Sequence, residues 1–267
     1  MKIAIIGMGN MGSTFANGFI NSRFIHPEHV FVYTRTQRTE EDFRNIHKLP
    51  YNYEFDKKIT TCDIVILAIK PQNFSTAATE LRSFLDQDQI IVSVMAGIGI
   101  DKIKEELRIN KIVRSMPNLP TQIGKGMTVF TASDELDRKE LFIIQNLINT
   151  TGKSVYVSEE EKIDAATAIS GSGPAYIFYF MEAMIQSAKS YGFDTAQAEL
   201  LVKQTISGAL GLYEAHSLST DEWIAKVSSK GGTTEQAIKY FTEQDIQQKI
   251  MEGIDRAKLQ SERLGKN

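Results

Sequence analysis

Cysteine is almost absent from this sequence. Cys62 is the single one, which excludes an intramolecular disulfide framework and suits a reducing, cytoplasmic setting. It precedes the apolar run 64–69, so a buried inert thiol is expected there rather than a nucleophile. Histidine is scarce too: His26, His29, His47 and His216 show no metal-ligand spacing, and no metal is expected. No apolar stretch reaches membrane-spanning length, and the most apolar helical stretch, 175–184, is interrupted by Glu182. The apolar residues near the N-terminus are too few for a signal peptide and run straight into glycines. There is no G-x-S-x-G elbow and no paired acidic motif. A formal net charge of -3 gives no reason to expect a nucleic acid or an acidic membrane surface as partner. What is left is an ordinary globular composition, 42% hydrophobic and 24% charged, over 267 residues, enough for one large domain or two ordinary ones.

The strongest feature present is at the start. Lys2-Ile3-Ala4-Ile5-Ile6 is a short β-branched run, Gly7-Met8-Gly9-Asn10-Met11-Gly12 follows at once, and Phe15, Ala16, Phe19 and Ile20 mark one helix face. Strand, glycine turn and helix in that order are the context of a dinucleotide fingerprint. Gly7 allows the tight turn, Gly9 lets a pyrophosphate approach, and Gly12 lets helix and strand pack closely. The free N–H groups of the helix start then face the phosphates.

From there to Val157 strands and helices alternate. Candidate strands are Val30–Tyr33, Ile64–Ala68, Ile90–Val94, Lys111–Ser115, Met127–Phe130 and Ser154–Val157. Candidate helices are Arg38–Ile46, Phe74–Phe84, Asp101–Leu107 and Asp134–Ile148. Repeated β-α units with continuous apolar strands predict a doubly wound, mostly parallel Rossmann-like sheet. The acidic residue expected about 20 residues past the glycine turn for an NAD ribose is missing. Thr34, Arg35 and Arg38 stand there instead and favour the 2′-phosphate of NADPH over NADH. Ala68-Ile69-Lys70-Pro71 ends another strand, with Pro71 holding Lys70 extended. Ala96 and Gly97 follow the next strand and leave room for a flat ring. Asn118, in Met116-Pro117-Asn118-Leu119-Pro120, stands after a strand on the same edge and is a further cofactor candidate.

After Val157 the composition shifts. Ser158-Glu159-Glu160-Glu161 reads as a capping box, and only helices follow: Glu160–Ile169, Ala175–Tyr191, Thr195–Ala215, Thr220–Val227, and Thr234 to about Arg263. The domain boundary is therefore expected between 157 and 158, with residues 1–157 binding NADP and 158–267 forming an all-α domain. Ser170-Gly171-Ser172-Gly173-Pro174 interrupts one helical pattern. Ser228-Ser229-Lys230-Gly231-Gly232-Thr233-Thr234-Glu235 offers two glycines and several hydroxyls at a helix start, which suits a carboxylate or phosphate.

These stretches together resemble the pyrroline-5-carboxylate reductase family over nearly the whole length. The matching segments are Gly7–Gly12, Ala68–Gln72, Met116–Asn118 with Gly126-Met127-Thr128, Ser170–Tyr176 and Gly231–Thr234. The resemblance implies an NADPH domain followed by a helical domain that dimerises with its twin, giving a homodimer or a higher homo-oligomer. It implies hydride transfer to the C=N carbon of a cyclic imino acid, giving L-proline, at a site completed by the Gly-Gly-Thr-Thr loop. By position, Ile6–Met11, Thr34, Arg35 and Ala68–Pro71 would bind the cofactor. Val227, Ser229, Gly231, Gly232, Thr233 and Thr234 would hold the substrate, with Thr234 as the catalytic group. Two positions differ from the family pattern: Lys230 stands where proline is usual and Leu119 where threonine is usual. They support a second reading, a diverged paralogue that binds NADPH as a sensor with little reductase activity. A β-hydroxyacid dehydrogenase is excluded by its missing lysine, since none follows Pro174 until Lys189.

Overall fold

The structure is a computed structural model that describes residues 1–35, 49 and 51–264. The expected helix Arg38–Ile46, and Arg38 itself, lie outside the described residues. Among the described residues eight strands form one sheet: β1 (Ile3–Ile6), β2 (Val30–Tyr33), β3 (Tyr51–Asn52), β4 (Ile64–Leu67), β5 (Ile90–Ser93), β6 (Ile112–Met116), β7 (Gly126–Ala132) and β8 (Gly152–Tyr156). Their order is β3-β2-β1-β4-β5-β6-β7-β8. The chain thus runs outward from β1 to β3, then returns beside β1 with β4 and continues the other way. That reversal is the topological switch point at which ligands of open α/β sheets collect.

Strands β1, β4 and β5 are buried along their whole length, as strands covered on both faces must be. Alternate residues serve opposite faces. Ile3 and Ile5 join a cluster with Phe15 and Phe19 of α1 (Asn10–Asn21) and Ile144 and Leu147 of α4 (Arg138–Asn149). Ala4 and Ile6 join a second cluster with Phe74, Ala78 and Leu81 of α2 (Phe74–Leu81) and Ile103 and Leu107 of α3 (Ile100–Leu107). The register makes Tyr33, Ile6, Leu67 and Ser93 level neighbours. The residues that follow them leave the sheet along one common edge.

Two sheet features were not foreseen. β3 is too short to show a strand pattern, and β7 pairs antiparallel with β6. The connection 117–125 cannot make a parallel crossover, which takes about a dozen residues or more, so the chain turns straight back.

The helical part contains α5 (Glu161–Ala166), α6 (Gly173–Ser190), α7 (Thr195–Ala215), α8 (Thr220–Val227), α9 (Thr233–Glu243) and α10 (Ile246–Leu264). The expected single C-terminal helix is two, because Asp245 takes the left-handed conformation with φ 53°, which Asp tolerates better than most residues. The expected capping box at Ser158 does not form: its hydroxyl donates to Glu159, and α5 starts after Glu160 with no side-chain cap. The interruption at 170–174 is a π-turn, Thr167–Gly171, running into α6. By contact, residues 1–172 with the chain from Ala257 onward make one compact unit, and Gly173–Arg256 the other. The last strand ends at Tyr156, beside the expected 157/158 boundary, and the compact units part later.

Candidate active site

The glycine turn is built as its spacing predicts. Gly7 has φ +99°, and a Cβ there would stand 2.6 Å from the Ala68 carbonyl oxygen. Its N–H donates to Tyr33 O at 2.8 Å, closing the turn against β2. A Cβ on Gly12 would run into the Gly7 carbonyl oxygen. Gly9 is different: a Cβ there meets nothing within 4 Å. The protein itself gives no steric reason for glycine at that position, and the free space suits a closely approaching ligand. Gly9 is also the N-cap of α1 and gives it no side-chain cap. The first-turn amides have no intrahelical acceptor and remain available to an anion.

Beside this turn lies a cleft of about 750 Å³, within the ~300–1,000 Å³ typical of small-molecule sites. Ile6, Gly7, Met8, Gly9, Thr34, Arg35, Ala68, Ile69 and Lys70 line it, all candidates from the sequence. Lys70 is extended, φ -70° and ψ 140°, as Pro71 demands. Arg35 and Lys70 are exposed, which leaves their charges at the cleft for phosphate. Glycine turn, uncapped helix start, cleft size and cation placement all fit a phosphorylated dinucleotide.

The other cofactor candidates are not among the residues that line the cleft. Asn10 lines a separate polar hollow on the flank of α1. Met11 and Gly12 are in the first turn of α1, and Pro71 opens the short turn before α2. Ala96 and buried Gly97 follow β5, with Gly97 at φ 76°. Asn118 is nearly buried with both ends of its amide engaged: Oδ1 accepts from Met127 N at 2.8 Å and Nδ2 donates to Ser170 O at 3.0 Å. It thereby ties the β6–β7 connection to the π-turn.

Several cleft residues escaped the sequence reading. Tyr53, Glu54 and Phe55 follow the unforeseen β3. Asn73, Thr76, Ala77, Glu80, Ser83 and Phe84 form the cleft-facing stripe of α2 and its extension. Their spacing of three and four residues was a readable signal, complementary to buried Phe74, Ala78 and Leu81.

A buried ion cluster was also missed. Arg114 on β6 is 5% exposed. Its guanidinium donates to Glu160 Oε1 and Asp164 Oδ1, each at 3.0 Å. Glu160 Oε1 also accepts from Ile100 N at 2.9 Å, which caps α3, and Asp164 Oδ1 accepts from Ser261 Oγ at 2.9 Å. One cation thus joins the sheet, α3, α5 and the end of α10. Cys62 is as inert as expected, since burial pushes its thiol up to about 12.

The second candidate group lies on the connection from α8 to α9. Val227 ends α8 and is exposed. Gly231 has φ +75°, and its N–H donates to Glu235 Oε2 at 2.7 Å. Gly232 N donates to Ser229 O at 2.9 Å, and a Cβ on Gly232 would stand 2.6 Å from Ser229 Oγ. Gly232 is the N-cap of α9 without a side-chain cap, so Thr233 and Thr234 open the helix. By contrast α4, α7 and α8 start with full capping boxes from Asp137, Asp194 and Ser219. Both α1 and α9, the helices whose starts were singled out for ligands, begin on glycine with open amides.

Residues 2–97 match the family model described as NADP oxidoreductase, coenzyme F420-dependent, and residues 160–264 match the one described as pyrroline-5-carboxylate reductase dimerisation. The chain is 33% identical to a pyrroline-5-carboxylate reductase of Aquifex aeolicus, over 99% of this chain and 97% of that protein. It is similar to the solved structure of a pyrroline-5-carboxylate reductase from Coxiella burnetii, with TM-score 0.90 and 29% identity, covering 100% of this chain and 99% of that one. The Plasmodium falciparum pyrroline carboxylate reductase with NADP bound matches with TM-score 0.89 and 26% identity, covering 99% of this chain and 98% of that one.

Proposed function

The chain belongs to the pyrroline-5-carboxylate reductase family, and from that premise we propose that it reduces the C=N bond of 1-pyrroline-5-carboxylate to L-proline with NADPH. The observation that carries this reading is the whole-length relationship to pyrroline-5-carboxylate reductases, in a chain with two glycine-led helix starts. When bound, NADPH supplies the hydride; the chain's own residues bind, orient and exclude water. The amides at the start of α1 hold the pyrophosphate, with Gly9 allowing close approach. Arg35 and Thr34 take the 2′-phosphate, and Lys70 adds a second cation on the same cleft. Ala96 and Gly97 leave room beside the reacting ring.

The connection 227–234 is assigned to the substrate. The Gly231 amide and those of the first turn of α9 hold its carboxylate, as a helix start favours an anion. The Thr234 hydroxyl accepts a hydrogen bond from the protonated ring nitrogen. A protonated imine is already electrophilic, so the work is mainly positioning, and no strong general acid is needed. We place the protein in the cytoplasm, in keeping with its single buried thiol, and as a homodimer formed through residues 158–267. A steady-state assay of NADPH oxidation with pyrroline-5-carboxylate tests the reading. Turnover with proline as product is expected; NADPH binding without turnover would leave the sensor instead.

A further inference from the structure

We propose that Glu235 is a specificity-determining residue: its carboxylate occupies the Gly231 amide and keeps small anions out of the loop that takes the substrate carboxylate. The inference rests on the assignment of that loop to the substrate. Its starting point is one hydrogen bond, Gly231 N to Glu235 Oε2 at 2.7 Å.

The bland reading is a helix cap, and the other helices show what a cap looks like here. In α4, α7 and α8 the third helical residue reaches back to the N–H of the N-cap residue itself: Glu140 to Asp137, Gln197 to Asp194, Glu222 to Ser219. In each the N-cap side chain answers by accepting from the third residue's amide. At α9 that exchange is impossible, because the N-cap is Gly232. The Gly232 N–H is already taken by Ser229 O. Glu235 therefore reaches one residue farther, to the N–H of Gly231, which stands at φ +75°. It is the one acidic side chain between Val227 and Gln236, and it sits where the helix start attracts negative charge.

An open nest of amides would attract any small anion. With Glu235 in place, an incoming anion gains the Gly231 N–H only by displacing a tethered carboxylate. A ligand that brings a ring and a second polar contact at Thr234 can do so; a bare anion gains too little. Glu235 thus costs affinity for every anion, and a bare one has no ring or Thr234 contact to offset the loss.

The test uses the full chain and the variant Glu235→Gln, which keeps a neutral hydrogen bond but loses the charge. Without cofactor, the Gly231 amide resonance is followed while sodium acetate is titrated in. With cofactor, KM, kcat and inhibition by acetate are measured. For Glu235→Gln the acetate concentration that shifts the Gly231 resonance is expected to fall about fivefold, the difference between a charged and a neutral hydrogen bond. KM should fall by a similar factor while kcat stays within about twofold, and acetate should become a competitive inhibitor. Glu235→Ala, which removes the hydrogen bond as well, should move all three further in the same direction. Equal acetate titrations for parent and variants, with KM unchanged, would make Glu235 a helix cap only. Thr234→Ala separates the two levels. If it lowers kcat/KM while both Glu235 variants do nothing, the loop assignment stands and this inference is wrong. If Thr234→Ala leaves turnover intact, the loop assignment fails and the inference falls with it.

Discussion

The sheet unit and the helical unit are held together in opposite ways. In the first, both faces of β1, β4 and β5 are covered, and large side chains such as Phe19, Phe74, Leu67 and Phe130 are fully buried. In Gly173–Arg256 the buried apolar residues are Ala198 and Val202, both in α7. Helix α6 buries none, and Ile177, Phe178, Tyr179 and Phe180 are all more than half exposed. Apolar exposure of that extent on a single helix marks an interaction face. The sheet unit closes its core within one chain, whereas the helical unit has apolar surface still to cover. That difference is the physical argument for a dimer formed by the helical half, the part that matches a dimerisation family.

The contrast can be broken hardest at α6. A hot-spot side chain contributes about 2 kcal/mol or more, and a two-fold interface contains each one twice. Phe178→Glu should therefore weaken dimerisation by about a thousandfold, with light scattering showing monomer at micromolar protein. An unchanged dimer would mean that this face is covered by something other than a second copy.

Inside the sheet unit the largest single loss should come from Arg114→Met. Removing one partner of a buried ion pair costs about 3–5 kcal/mol; the partial exposure of Glu160 puts this one near the lower end. Urea unfolding should show the drop, and adding Glu160→Gln and Asp164→Asn should restore part of it. A variant as stable as the parent would leave the cluster without a structural role.

Ligand residues should behave differently, with little effect on stability. Thr234→Ala should lower kcat/KM by about one to two orders of magnitude, the range of a hydrogen bond to a charged group, while the NADPH dissociation constant stays the same. Loss of thermal stability with full turnover would reduce the loop to a cap. Arg35→Asp should weaken NADPH by about tenfold or somewhat more and NADH hardly at all, since only the former has a 2′-phosphate to repel. Fluorescence titration with both nucleotides decides it.

The smallest effect concerns Cys62. Burial, with Asp63 nearby, raises its thiol to about 12, so the folded chain keeps a proton that the unfolded chain releases above about pH 8.5. Its contribution is fully present below that pH and is lost as pH rises toward 12, amounting to about 1.4 kcal/mol one unit above the unfolded value. The difference in stability between parent and Cys62→Ala, followed from pH 7 to 9.5, should change by that amount. A flat difference would mean that the thiol titrates normally in the fold.

Much of the sheet unit was legible because its signals are local. A β-branched run, three glycines at fixed spacing and an amphipathic helix must occur together for the turn to close. Each can be seen without knowing what lies across the sheet. The same holds for α7 and α8, found at their observed bounds because their caps and flanking residues are adjacent in the chain. The Asp245 break, the π-turn and the antiparallel β7 were missed or misjudged for the opposite reason. Each depends on where the chain must go next, and no short window records that.

For the site, the sequence by itself determined which backbone groups would be left open, since glycine at positions 9 and 232 removes the side chain that would otherwise cap them. It determined the cation at 35 and the absence of an acid beside it. Only the tertiary structure decided which residues share the cleft, because β3 and one stripe of α2 reach it by packing rather than by motif. Only the tertiary structure could show Arg114 meeting Glu160 and Asp164, or Glu235 bending past its own N-cap to Gly231. Those contacts join groups whose positions are set by folding, and a charge has no partner until the chain brings one within reach.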